Sequence, residues 1–255
     1  MNQQDTTLVH TSRLTGNVLI VNQCHREEAI ASGSVRMLST TQRGLTRSRN
    51  MAIRNATADI CLLCDDDETF VDGYEQAVLS AYRQLPQADI IIFKMKNRPA
   101  SFGDRIQRLR FPKTMKVSSW QISFRREQLL NSGVFFDEHL GAGTGNGGEE
   151  ELKFLLDCQK AGLKIYYVPT EIASVAQTQS TWFHGFDEKY FENRGATTRY
   201  ILGSVLAGAY GLYFILRKRG MYGEDISPRN ALKAIFRGIR ENKISRQIRK
   251  ELEQV

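Results

Sequence analysis

Short apolar runs separated by amphipathic stretches set the pattern of this chain. VLIVN (18–22), SVRMLST (34–40), DICLLC (59–64), ADIIIFKM (88–95), WQISFRR (120–126) and KIYYVP (164–169) read as strands. Several are continuous apolar runs, which signals strands covered on both faces. Between them, RSRNMAIRNA (47–56) suits a helix, and REQLLNSG (126–133) suits a short one ending at Gly133. Asp72 and Glu75 have the D-x-x-E spacing of a capping box, which predicts a helix opening there and running through Tyr82. A glycine-rich loop, GAGTGNGG (141–148), leads into the helical pattern EEELKFLLDCQKAG. Residues 99–114 are irregular and basic. Strands alternating with helices predict an α/β fold with a mainly parallel sheet flanked by helices.

Beyond Pro169 the pattern changes. Residues 201–216, ILGSVLAGAYGLYFIL, carry no charge, and Arg217, Lys218 and Arg219 follow. The run is short of the roughly 20 residues that span a bilayer. Its glycines and Ser204 suit close helix packing, so it predicts a buried or interfacial helix, with a short membrane span as the alternative. Ser227 and Pro228 fit the N-cap and first position of a final helix. There Leu232, Ile235, Phe236, Ile239, Ile244 and Ile248 share one face and cations the other. The expected division is a catalytic domain over 1–180 and a helical, basic extension over 181–255.

The 255 residues are enough for one large domain, or one domain with an appendage. Net charge is +7, yet residues 229–250 hold eight cations against the single acid Glu241, so this segment carries the whole excess. A basic tail on a balanced domain fits either a solvated packed helix or attachment to an anionic membrane surface. Stacking aromatics are sparse among these cations, which argues against nucleic acid. The opening MNQQDTTLVH lacks the basic start and apolar core of a secretory signal. Cys61 and Cys64 form a C-x-x-C with no second pair at zinc spacing, so Cys24, Cys61, Cys64 and Cys158 read as reduced cysteines of a cytosolic protein.

Two acidic clusters carry the candidate chemistry. Asp65, Asp66, Asp67 and Glu68 follow the apolar run 60–64 directly. In open α/β sheets ligands gather beyond the carboxyl ends of strands. On an extended chain Asp65 and Asp67 would face one crevice and Asp66 the other way. Two carboxylates in a crevice call for a cation, and a hard divalent ion, Mn²⁺ or Mg²⁺, supplies one that can also hold a diphosphate. The alternative is an acidic solvated turn. The second cluster is Glu149, Glu150 and Glu151 at a helix start after the glycine loop. There acids favour the helix dipole, but a base could also meet a substrate. Gly143, Gly145 and Gly148 match G-x-G-x-x-G. However, no strand precedes them at the right distance, and carboxylates would face the pyrophosphate, which excludes a dinucleotide site.

The segment GLTRSRNMAIRNATADICLLCDDDETF resembles the family 2 glycosyltransferases, where a G-x-x-x-x-R-N helix precedes a strand ending in D-x-D. FDEHLGAGTGNGGEEELKFLLDCQKAGLKIYYVP is similar to that family's acceptor region, and residues 180–195 resemble its bacterial surface-polysaccharide members. The resemblance implies a GT-A fold, a nucleotide-diphosphate sugar donor, and a glycan or lipid-linked acceptor. It places Asp65 and Asp67 at the D-x-D carboxylates contacting ribose and metal, with Asp66 between them. Arg49 and Asn50 match the pair near the donor. Glu150, or else Glu149, falls on the general base of inverting transfer, which accepts the acceptor hydroxyl proton. The implied enzyme is cytoplasmic and peripheral to the inner face of the cell membrane.

Three departures accompany the resemblance. No His follows Y-V-P where many relatives have a metal ligand, which leaves His184 as a candidate. Glu replaces the usual Asp of the base motif. The family's first apolar strand has no counterpart before residue 18, which predicts a poorly stable and weakly active chain. A nucleotidyltransferase and an inactive, binding-only relative are the rival readings.

Overall fold

The computed structural model describes residues 3–98, 101–146, 148–176 and 185–253. The chain divides into two compact units, Met1–Arg43 with Arg47–Phe136 and Glu151–Thr178, and Gly44–Thr46 with Asp137–Glu150 and Gln179–Val255.

The elements leading through the first unit are α1 (Leu8–Thr11), β1 (Val18–Gln23), β2 (Glu28–Ser32), β3 (Val35–Thr40), α2 (Leu45–Asn55), β4 (Ile60–Leu62), β5 (Glu68–Phe70), α3 (Tyr74–Gln84), β6 (Ile90–Met95), β7 (Gln107–Leu109), β8 (Ile122–Arg125), α4 (Arg126–Ser132), α5 (Glu150–Lys160) and β9 (Ile165–Val175). One sheet has the order β1-β3-β2, and the other β4-β8-β6-β9-β5, with β7 also on β9. The sheets are mixed: β1 with β3 and β6 with β9 are parallel, and the other described pairs are antiparallel. An apolar run reports that both faces of a strand are covered, not which way its neighbours run.

Strand β6 shows that covering. Ile90 and Ile92 point to one face, where α4 and α5 supply Leu129, Phe154, Leu155 and Cys158. Ile91 and Phe93 point to the other, where α3 supplies Tyr74, Val78 and Tyr82. All four strand residues are fully buried. Each such side chain stabilises the fold by roughly 1.5–3 kcal/mol relative to exposure. The β6–β9 register breaks after Phe93, opposite the stretch holding Pro169, which has no N–H to donate. Because β9 has 11 residues, β7 pairs near its start and β5 near its end.

Several local expectations need correction. The capping box at Asp72 is not formed: Gly73 is the N-cap of α3, without a side-chain cap bond, because Asp72 instead pairs with Arg13 at 2.6 Å. Trp120 lies in a 3-10 turn, Ser119–Gln121, before β8. Gly133 does end α4, with φ of 68°.

The second unit contains α6 (Glu188–Arg217), α7 (Arg219–Tyr222), α8 (Pro228–Glu241) and α9 (Lys243–Leu252). By length and composition α6 could cross a membrane, but Gly203 is non-helical (φ 79°, ψ 172°) and divides it. The part beyond the kink is about 21 Å long at 1.5 Å per residue, short of the ~30 Å hydrocarbon layer. Ser227 caps α8, accepting the Asn230 N–H at 3.3 Å, with Pro228 at its start. The tail is two helices rather than one, because Asn242 adopts φ 47° between α8 and α9. The apolar face of α8 is buried against α6. A Cβ at Gly195 would sit 2.1 Å from the Ile235 carbonyl oxygen, and one at Gly238 2.0 Å from that of Glu192. Only glycine permits this approach.

Candidate active site

The acidic motif sits in a turn. β4 ends at Leu62, Asp66 and Asp67 turn the chain, and β5 begins at Glu68. Strand alternation therefore does not decide where these carboxylates point. Asp66 is exposed, and Asp65 and Asp67 are partly buried.

Asp65 is the centre of a tight network in the first unit. Arg49 Nη2 lies 3.3 Å from its Oδ1, and Ser119 Oγ donates to its Oδ2 at 2.9 Å. The Asp65 N–H donates to Glu68 Oε1 at 2.8 Å. Arg49 is itself buried, and its Nη1 lies 3.0 Å from Glu151 Oε1. A guanidinium can hold two carboxylates at once in fixed directions. Asn50, the next residue on α2, is turned to structure. Its amide donates to the Phe136 carbonyl at 2.9 Å and accepts the Phe136 N–H at 2.8 Å.

Two carboxyls here are strongly perturbed. Burial pushes Glu68 up to about 9, against the pull of the Asp65 N–H, so it carries a proton at neutral pH. Its Oε2 has no partner. Asp67 is also raised, by burial first and then by the charge of Asp65, while Arg98 opposes the shift.

Among the described residues no group of three or more His, Cys, Asp and Glu could hold a metal alone. The donor set still fits a hard cation bound by one or two carboxylates and completed by substrate oxygens. Asp67 is an oxygen donor whose negative form is disfavoured as it stands, which is the condition a divalent ion relieves. His184 lies outside the described residues.

The second unit holds the other acidic pair. The glycine loop is tied to the start of α2: Leu45 N–H donates to the Ala142 carbonyl and Thr46 Oγ1 to that of Leu140, each at 3.2 Å. Glu149 has φ of 77°, a left-handed conformation unusual for its residue type. Its carboxylate lies 3.0 Å from Arg194 Nη2. Arg194 in turn is enclosed by Tyr190, Tyr210 and Phe214, whose ring centres lie 5.9, 5.3 and 4.2 Å from its Cζ. Glu150 is buried. A Cβ at Gly141 would lie 3.2 Å from its Cδ, so the loop glycine makes the room it occupies.

Sequence reasoning named Glu68 and Glu151 only as members of the acidic clusters, without a role, and did not single out Ser119 or Arg194. Arg194 falls within residues 180–195, which resemble the bacterial members, and Glu151 in the acidic triplet, so both were within reach. Ser119 approaches Asp65 from 54 residues away, and no local pattern announces that.

The profile of the family described as glycosyl transferase family 2 matches residues 17–144. No curated protein matches the sequence. Among solved structures, S. aureus TarS 1–349 aligns with a TM-score of 0.54 at 15% identity, over 89% of this chain and 72% of that one. The same TarS fragment in complex with UDP-GlcNAc gives 0.54 at 14% identity, over 82% and 65%. The mannosyltransferase PcManGT from Pyrobaculum calidifontis, in complex with GDP-Man and Mn²⁺, gives 0.50 at 14%, over 92% and 71%. Identities this low speak to fold, and the fold is GT-A. With half its length matched by the profile and with that fold, the chain belongs to glycosyl transferase family 2.

Proposed function

We propose that this protein is an inverting glycosyltransferase of surface polysaccharide synthesis, using a nucleotide-diphosphate sugar, a divalent ion and a glycan or lipid-linked acceptor. The observation that carries the reading is the Arg49–Asp65–Ser119 network beside Asp67, whose charged form is disfavoured by burial and by Asp65, in a member of this family. TarS and PcManGT are recorded with UDP-GlcNAc and with GDP-Man and Mn²⁺ respectively, which supports a nucleotide-sugar donor here.

In this reading Asp65, fixed by Arg49, Ser119 and the Glu68 contact, receives the donor in one orientation. Asp67, with Asp65, would hold Mn²⁺ or Mg²⁺, which when bound offsets charge on the departing diphosphate. Arg49 keeps Asp65 aimed, and Asn50 sets the Phe136 main chain. Glu150 takes the acceptor hydroxyl proton as that oxygen attacks the anomeric carbon. Glu149, tied to Arg194, holds the loop that presents Glu150. His184 remains a candidate metal ligand.

The membrane role is part of the proposal. The apolar face of α8 is occupied by α6, so attachment to an anionic inner-membrane surface would use the exposed cations of 229–250. Exposed Val205, Leu206, Leu212, Tyr213 and Leu216 on the second half of α6 would add an apolar contribution. A hydrolysis assay over a panel of nucleotide sugars with Mn²⁺ tests the activity. Release of one sugar with its nucleotide diphosphate is expected, and no release from any donor overturns the reading.

A further inference from the structure

We propose that a cationic cleft in the first unit, walled by Lys94, Arg98, Lys116, Trp120 and Tyr167, binds a phosphate group carried by the acceptor. The inference rests on the glycosyltransferase reading and adds an acceptor class to it: a phosphorylated glycan or a diphosphate-linked lipid.

The cleft has a volume of about 290 Å³. It opens where the β6–β9 ladder breaks, with shifts on both sides of Lys94. A bulge of this kind re-aims side chains. Gln121 fixes the wall, donating to the Phe93 carbonyl at 2.8 Å and accepting the Ser118 N–H at 3.2 Å.

The polar groups of the lining are only partly satisfied. Tyr167 is 1% exposed, and its hydroxyl has no hydrogen-bond partner. Arg98 Nε is likewise buried without a partner, while its guanidinium lies 5.6 Å from the centre of the Trp120 ring. Buried polar groups are nearly always paired, and an orphan is costly. Arg98 Nε can only donate, and the Tyr167 hydroxyl can donate too, so an acceptor would satisfy both. Lys94 is paired with Glu171 at 3.1 Å, and Lys116 stands exposed at the rim. Donors and cations converging on one cleft describe a site for an anion with several oxygens. The half-buried Trp120 ring offers an apolar wall beside it for a sugar.

Two observations separate this anion from the donor's diphosphate. The acidic motif already supplies carboxylates suited to a metal-neutralised diphosphate. The cleft adjoins that motif through consecutive residues, since Ser119 holds Asp65 and Trp120 walls the cleft. A second anion bound there belongs to the molecule that reacts with the donor.

Isothermal titration of the full chain, without nucleotide or metal, tests this with glucose, glucose 1-phosphate and farnesyl diphosphate. At least tenfold tighter binding of one phosphorylated probe than of glucose is expected. Binding of glucose 1-phosphate points to a phosphorylated glycan, and binding of farnesyl diphosphate alone to a lipid carrier. Lys116→Glu should weaken that binding at least fivefold, with UDP or GDP affinity in Mn²⁺ unchanged; Arg98→Ala should weaken it as much, but because Arg98 also acts on Asp67 only Lys116→Glu separates the cleft from the donor site. Lys116 is exposed, so its variant reports even if Arg98→Ala does not fold. Equal binding of glucose and both phosphorylated probes would overturn the proposal. So would loss of nucleotide binding in Lys116→Glu, which would assign the cleft to the donor. If wild type binds no nucleotide diphosphate but still binds a phosphorylated probe, the donor reading fails and the anion site stands.

Discussion

Arg194 holds Glu149 at 3.0 Å, and the Glu149 backbone is in the left-handed region. A strained residue persists only where its surroundings over-determine it, at about 1–3 kcal/mol of cost. Here the ion pair and the aromatic enclosure of Arg194 do so. Of two neighbouring acids, Glu149 is thereby anchored, and the proposal assigns the chemistry to Glu150.

The first prediction follows from that division. Glu150→Gln should lower kcat at least about a hundredfold with donor affinity nearly intact. Glu149→Gln should chiefly lower the melting temperature. Steady-state kinetics and thermal unfolding on both variants check this; the reverse pattern would make Glu149 the base.

Arg49 bridges Asp65 and Glu151 from a buried position. Arg49→Ala leaves two acids without their cation. Removing one partner of a fully buried pair costs about 3–5 kcal/mol, and the lower end is expected here because the Asp65 side chain is 29% exposed. Denaturant unfolding measures the loss, and donor KM should rise with it.

His139 contacts Asp137 at 3.1 Å and Glu251 on α9 at 2.9 Å. Burial disfavours its charge, but the bonds to Glu251 and Asp137 outweigh that and raise its pKa above 6.5. Its contribution is therefore complete below about pH 6.5 and is lost as pH rises through the raised value. The stability difference between wild type and His139→Gln should be largest at pH 5.5 and shrink by pH 8.5. Melting curves across that range give the test.

Attachment to anionic lipid, if it uses the exposed cations, is separable from packing. Lys233→Glu with Arg240→Glu should weaken sedimentation with anionic vesicles at least tenfold, without changing the melting temperature. Gly238→Ala should do the opposite: its Cβ would meet the Glu192 carbonyl, an overpacking worth roughly 1–3 kcal/mol.

Legibility in the sequence followed the range of the interaction. β6 and α5 are periodic over many residues, and their apolar pattern reports burial directly. β2 was missed because EAIAS is exposed throughout and shows no apolar face. β5 was missed because it follows the acidic turn at once and has only three residues. Strand direction was not legible, since the same apolar run of β6 pairs β9 in parallel and β8 antiparallel. At the candidate site, motif spacing pointed to the acidic motif and to Arg49, which the structure brings to 3.3 Å from Asp65. The contacts of Ser119 with Asp65 and Arg194 with Glu149 are tertiary, and no local spacing encodes them.

The central claim is that Asp65 and Asp67 form a donor site completed by a divalent ion. The most direct measurement is isothermal titration of UDP and GDP with and without Mn²⁺, on wild type and Asp67→Ala. The account predicts Mn²⁺-dependent binding of one nucleotide in wild type, weakened at least tenfold by Asp67→Ala. The fold should stay intact, because removing a carboxyl that burial and Asp65 already disfavour costs little stability. Equal affinity in the two proteins, or binding indifferent to Mn²⁺, would contradict it.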